Sequence, residues 1–232
     1  MICFCDLETT GTNVFSAEII EGYFICTDTE LNVIGTFHLR CRPTEWSHEA
    51  YLVHQIPKHI ADNYPLFKDC YNDLLDWFNV NKIDEFWCHT NAHMFGKVTH
   101  FDYAILKMQL FDVNQGEYFK MHNKKVYSTH SLCKLLKDRF NFSSLSLDSI
   151  CSVLGIKLKH HDCKSDAEAC LEITKRLLPL TDRETVKTLG VKYDTIEDDQ
   201  GQSVTQRRDP SIHQRKPKPP SKDRAWNSPI FR

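Results

Sequence analysis

Two carboxylates separated by one residue stand near the start of the chain, in the string Phe4-Cys5-Asp6-Leu7-Glu8-Thr9-Thr10-Gly11. On a strand, residues two apart point to the same side, so Asp6 and Glu8 share one face. Two anions so placed repel, and a divalent cation is the commonest way to offset that. A set of oxygen ligands suits hard ions such as Mg²⁺ or Mn²⁺. The same pair also fits a solvated turn after a strand, so it does not decide the matter by itself. Asp102 alone reads as a helix N-cap or first-turn acid, and His161 alone as a surface or packing histidine. The ten cysteines include no C-x-x-C pair, so zinc-ribbon and dithiol redox motifs lack their spacing. Cys163 and Cys170 read as packing thiols, because a hard cation rejects sulfur.

The elements that position these residues follow from apolar periodicity. Residues 2–5 (ICFC) predict a short strand that ends at Asp6. Residues 18–27 and 31–40 are rich in β-branched and aromatic side chains, with Asp28-Thr29-Glu30 between them, and predict a hairpin within an antiparallel meander. Residues 66–78 predict a helix and 84–88 a short buried strand. Further helices are expected over 102–111, 129–139 and 146–154, the last capped by Ser146 and closed by Gly155. Residues 165–178 form the last amphipathic helix, with Ser165 as N-cap and Pro179 as its stop. Strands first, then alternating strands and helices, give an α/β architecture with a mixed sheet.

The 232 residues accommodate one domain plus an appendage. We divide them into a domain over 1–180, a connecting segment over 181–194 and a basic, Pro-containing flexible tail over 195–232. The tail holds eight Lys/Arg and five Asp/Glu, a net of +3, which leaves −5 on residues 1–194 of a chain whose formal charge is −2. An acidic globular part must bind a polyanion locally, through metal and a few placed cations. Within the tail, RKPKPP at 215–220 favours extended conformation, and Trp226, Ile230 and Phe231 are candidate anchors. Residues 207–232 thus offer a candidate docking peptide for a protein partner. No apolar run approaches ~18 residues and no secretory h-region precedes the thiols. An intracellular, cytoplasmic chain with no membrane partner is expected.

The string DLETTG after an apolar strand resembles the first motif of the DEDD exonuclease superfamily, the DnaQ-like family within the ribonuclease H-like fold. His100-Phe101-Asp102-Tyr103-Ala104-Ile105-Leu106, after the strand-like EFWCHTN, resembles the second motif. The link from Asn91 to His100, AHMFGKVT, is longer than the family's. His161-Asp162-Cys163-Lys164-Ser165-Asp166 has the third motif's histidine-to-aspartate spacing, which implies the DEDDh branch. His160 stands one residue too far from Asp166. His54-Gln55-Ile56 resembles the family's His-Gly-Ile segment, and Ser146–Gly155 its Ser-Leu…Leu-Gly-Ile segment. The likeness covers residues 1 to about 180.

This resemblance implies a mixed five-stranded sheet flanked by helices and a metal-dependent 3′→5′ exonuclease. Asp6, Glu8, Asp102 and Asp166 would hold two Mg²⁺ or Mn²⁺ ions, and His161 would take a proton from the attacking water. Thr9, Thr10 and Gly11 would approach the terminal sugar, with Phe15 as a candidate stacking residue. The expected partner is a nucleic-acid 3′ end, single-stranded DNA ahead of RNA, in replication, repair or proofreading. An exoribonuclease of the same chemistry and a non-catalytic scaffold remain the alternatives.

Overall fold

The computed structural model describes residues 1–90 and 100–181, together with 185, 196–197 and 203–204. The chain forms two compact units, Met1–Tyr193 and Asp194–Arg232. In the second, β6 (Ile196–Glu197) and β7 (Ser203–Val204) pair antiparallel. The expected loop after Asn91 and the anchors Trp226, Ile230 and Phe231 lie outside the described residues.

The first unit is built on β1 (Ile2–Thr9), β2 (Ile19–Thr27), β3 (Val33–Arg40), β4 (Glu85–Cys88) and β5 (Lys125–Ser128). Their order is β3-β2-β1-β4-β5. The first three strands form the expected antiparallel meander, while β4 and β5 run parallel to β1. The sheet is therefore mixed and five-stranded, as the sequence implied.

Alternation along β1 sorts its side chains to two cores. Cys3, Cys5 and Leu7 point to the face covered by α3 (Phe67–Val80) and α4 (Phe101–Val113), where Leu74, Phe78, Ile105 and Leu110 pack. Phe4 points to the other face, under α6 (Thr129–Leu135), α8 (Leu147–Leu154) and α9 (Cys163–Leu177), with Trp87, Leu132, Ile150 and Ala167. Full burial of such side chains contributes about 1.5–3 kcal/mol each. By the same alternation Asp6 and Glu8 lie on the α9 face. Smaller elements of the unit are α1 (His48–His54), α2 (Lys58–Ala61), α5 (Gln115–His122), α7 (Lys137–Phe140) and a 3-10 turn over Leu178–Leu180 that contains Pro179.

Most boundaries fall within two residues of the sequence expectation, and three differences bear on how the site is built. β1 does not end at Asp6 but continues to Thr9, because pairing with β2 holds the acidic residues in the ladder, Glu8 opposite Glu21. The register shifts only after Glu8, between Glu8 and Thr9. The helix expected over 129–139 divides at Leu136 into α6 and α7. The last helix begins at Cys163 and is capped by Asp162, whose Oδ1 accepts from the Ser165 amide at 3.1 Å. Ser165 is not the cap; its hydroxyl accepts instead from the Lys159 amide at 2.8 Å. By contrast α8 has Ser146 and Gly155 as its two caps, as expected.

Candidate active site

Three elements bring the acidic residues together. Asp6 and Glu8 come from the end of β1, Asp102 from the first turn of α4 and Asp166 from the first turn of α9. Ligand oxygens of Asp6, Glu8 and Asp166 lie within 4.8 Å of one another. Asp102 shares their cavity, of about 770 Å³, but not that tight set. Its Oδ2 accepts from the Thr90 hydroxyl at 2.9 Å, and the Leu7 amide also reaches it.

The electrostatics report the same convergence. Burial first, then Asp102, Asp166 and Glu8, push the Asp6 carboxyl far up. Burial and the negative charges of Asp166, Asp102 and Glu21 raise Glu8 to about 8. Burial raises Asp102 and Asp166 to about 6 each, against hydrogen bonds that lower both. Asp166 is compensated in part by the His160 ring, whose Nδ1 is 3.7 Å from its Oδ2. Its other oxygen, Oδ1, is buried and has no hydrogen-bond partner among the described residues. Buried, mutually repelling carboxylates with an unpaired oxygen fit a hard divalent cation, which these donors would ligate through oxygen alone.

Both histidines of the third motif line the cavity, and their rings stack with centroids 3.9 Å apart. His161 has φ 60, a left-handed backbone that is uncommon outside glycine. Burial first and His160 second lower its pKa.

Of the residues expected at the terminal sugar, Thr9 and Gly11 line the cavity. A side chain at Gly11 would meet nothing within 4 Å, so the backbone there is open to approach. Thr10 and Phe15 are not in the lining. The Thr10 hydroxyl is engaged by the Glu18 amide at 3.0 Å, and Phe15 is exposed.

Several lining residues were not singled out from the sequence. His89 joins through Thr129 Oγ1 at 2.8 Å and the Leu145 carbonyl at 2.9 Å, and burial lowers its pKa to about 4. His130, Lys134 and Ser144 complete that wall. These three carry no local signature. The opposite rim includes His54 of the His-Gln-Ile segment; its Nδ1 accepts from the Ile56 amide at 2.9 Å.

The chain has the fold of exonuclease I structures. These include E. coli exonuclease I in complex with a dA16 oligonucleotide (TM-score 0.66, 20% identity, 81% of this chain and 42% of that one). They also include exonuclease I from Methylocaldum szegediense (TM-score 0.65, 19% identity, 81% and 42%). The chain spans about two-fifths of the length of these structures. No curated protein matches it in sequence. The RNase T exonuclease family model matches residues 3–174, which include all four acidic residues and His161, and the chain belongs to that exonuclease family.

Proposed function

We propose that this chain removes 5′-mononucleotides from the 3′ end of single-stranded DNA, using two hard divalent cations. The observation that carries this reading is the convergence of Asp6, Glu8 and Asp166 within 4.8 Å, with Asp102 in the same cavity. When bound, the cations lower the pKa of a water and neutralise charge on the scissile phosphate. Asp6, Glu8 and Asp166 would hold one ion, and Asp6 with Asp102 would reach the other. His161 accepts the water's proton at a ring nitrogen. The water oxygen bonds to phosphorus as the phosphorus–O3′ bond breaks, its electron pair goes to O3′, and that leaving oxygen is protonated from solvent. Thr9 and the backbone at Gly11 line the cavity, which supports a role for them in contacting the terminal sugar.

The preference for single-stranded DNA is supported by the fold of exonuclease I, whose structures hold dT13 and dA16 oligonucleotides. The reading extends to a role in replication, repair or proofreading, and the spacing of His161 from Asp166 supports the DEDDh branch. Residues 207–232 remain a candidate segment for a protein partner.

The deciding experiment is a panel of 5′-labelled and 3′-labelled DNA and RNA oligomers, single- and double-stranded, with Mg²⁺ or Mn²⁺ and chromatography of the products. A ladder shortening from the 3′ end of single-stranded DNA, with 5′-mononucleotides released, is expected. Faster cleavage of RNA would replace this reading by the exoribonuclease. Inactivity on every substrate with either ion would favour the scaffold.

A further inference from the structure

On the same face of the sheet, one strand away from the acidic set, three side chains of different chemistry meet. His38 Nε2 lies 3.3 Å from Glu21 Oε2. Cys163 Sγ lies 3.9 Å from that nitrogen and 4.0 Å from that oxygen. The residues come from β3, β2 and the first position of α9. A zinc ion with tetrahedral ligands places sulfur about 3.5 Å from nitrogen or oxygen, and nitrogen about 3.3 Å from oxygen. The observed triangle matches one edge and exceeds the other two by less than a flexible side chain's adjustment.

We propose that Glu21, His38 and Cys163 form a second cation site, for a borderline-soft divalent ion of the Zn²⁺ class, separate from the oxygen-only set. The donor chemistry separates the two sites. A thiolate and an imidazole favour Zn²⁺, whereas the carboxylates of Asp6, Glu8 and Asp166 favour Mg²⁺ or Mn²⁺. Cys163 is a packing thiol toward a hard ion and a ligand toward a softer one.

The surroundings are those of a supported ligand. The Tyr64 hydroxyl donates to Glu21 Oε1 at 2.6 Å, and Arg40 Nε lies 3.5 Å from the same oxygen. Both hold the carboxylate so that Oε2 faces His38 and Cys163, the role outer groups play around metal ligands. Cys163 is buried, whereas His38 and Glu21 are partly open to solvent, which leaves a fourth position for water. A thiolate and a carboxylate offset the ion's two charges. Binding displaces the thiol proton of Cys163, so affinity rises with pH.

The consequence for the fold is a clasp. The ion would tie the first residue of α9 to strands β2 and β3, and α9 carries Asp166 one turn on. Glu21 is also the cross-strand partner of Glu8, and its negative charge is one of those that raise the Glu8 carboxyl. Neutralising Glu21 would relieve Glu8.

The test is a Co²⁺ titration of the full chain in excess Mg²⁺ with a non-thiol reductant, because Mg²⁺ fills the oxygen site and sulfur ligation alone gives a near-ultraviolet charge-transfer band. A band saturating at one equivalent per chain and bleached by Zn²⁺ is expected. Cys163→Ser should abolish it, His38→Ala should weaken Co²⁺ binding at least tenfold, Tyr64→Phe about tenfold, and Asp166→Asn should leave the band in place. Zn²⁺ should also raise the melting temperature of the wild type and not of His38→Ala. No band in the wild type, or a band that survives Cys163→Ser, overturns the proposal, since nine other thiols could then be responsible. Should Cys163→Ser fail to fold, His38→Ala decides: unchanged Co²⁺ affinity there refutes the site.

Discussion

The backbone amide of His161 donates to Oδ2 of Asp166 across 3.1 Å. The left-handed φ of 60 at His161 lets that amide turn back toward the first turn of α9. His161 is thus anchored through its main chain, which leaves its ring free of the task, while the His160 ring approaches the same carboxylate oxygen. Both rings line the cavity, but only the His160 ring offsets the Asp166 charge, so the proposed proton-accepting role falls to His161. His161→Ala should therefore lower kcat by about 10²–10⁴ with the fold intact by circular dichroism. His160→Ala should cost about tenfold or less. A reversal of the two effects in steady-state rates would move the proton-accepting role to His160.

Metal-free stability should fall as pH rises from about 5 to about 8. Glu8, Asp102 and Asp166 have folded-state pKa values of about 8, 6 and 6, and Asp6 is raised as well. All lie above ordinary carboxylates, so the folded form keeps its protons longer than the unfolded chain. The resulting stabilisation is complete below about pH 4 and is lost as pH rises through those values. Buried His89 and His100, both lowered to about 4, act in the opposite sense as pH rises through about 4 to 6.5, but the four carboxyls outweigh them and act further up the range. With a chelator present, melting should occur about 5–10 °C lower at pH 8 than at pH 5. Mg²⁺ should restore the difference, and more at pH 8. Glu8→Gln should flatten the upper part of the slope. A chelated protein whose melting point is flat or rises over this range would contradict the buried, mutually repelling set.

Much of this site was readable because its residues sit in short local strings. Asp6 and Glu8 announce themselves through strand alternation, and Asp166 through its spacing from His161. The strand end was misjudged for an instructive reason: acidic residues in a ladder look like a turn until the partner strand supplies Glu21 opposite Glu8. Serine at 165 suggests a cap because serine favours that place, yet Asp162 lies nearer the chain's entry and a carboxylate caps equally well. His89, His130 and Lys134 were out of reach, since each joins the wall through tertiary packing of α6 and the 144–147 segment. Glu21, His38 and Cys163 come from three separate elements, so no spacing could reveal their meeting.

Gln55 occupies the left-handed C-cap of α1, with φ 56 and its amide directed to the Tyr51 carbonyl. The family segment resembled here has glycine at that point, and glycine takes this conformation without the side-chain penalty of about 1–2 kcal/mol. Its extra freedom in the unfolded chain cancels part of the gain. Gln55 is exposed, so little packing is lost. Gln55→Gly should therefore stabilise by about 0.5–1 kcal/mol, seen as a higher urea midpoint at unchanged m-value. An equal or lower midpoint would show that the glutamine side chain contributes something the conformation alone does not account for.

Thr90 and Asp102 provide the sharpest separation of metal binding from chemistry. The Thr90 hydroxyl donates to Oδ2 of Asp102 at 2.9 Å, inside a buried pocket where burial already raises that carboxyl. Thr90→Val keeps the shape and deletes the donor. Asp102 then loses a bond that favours its ionised form, and it becomes a poorer ligand. The Mg²⁺ concentration for half-maximal rate should rise about 10–100-fold, with kcat at saturating Mg²⁺ little changed. Thr90→Ser, which retains the hydroxyl, should return the wild-type Mg²⁺ dependence. If kcat at saturation drops while the Mg²⁺ dependence stays put, the hydroxyl serves substrate rather than Asp102, and the second ion would need another ligand.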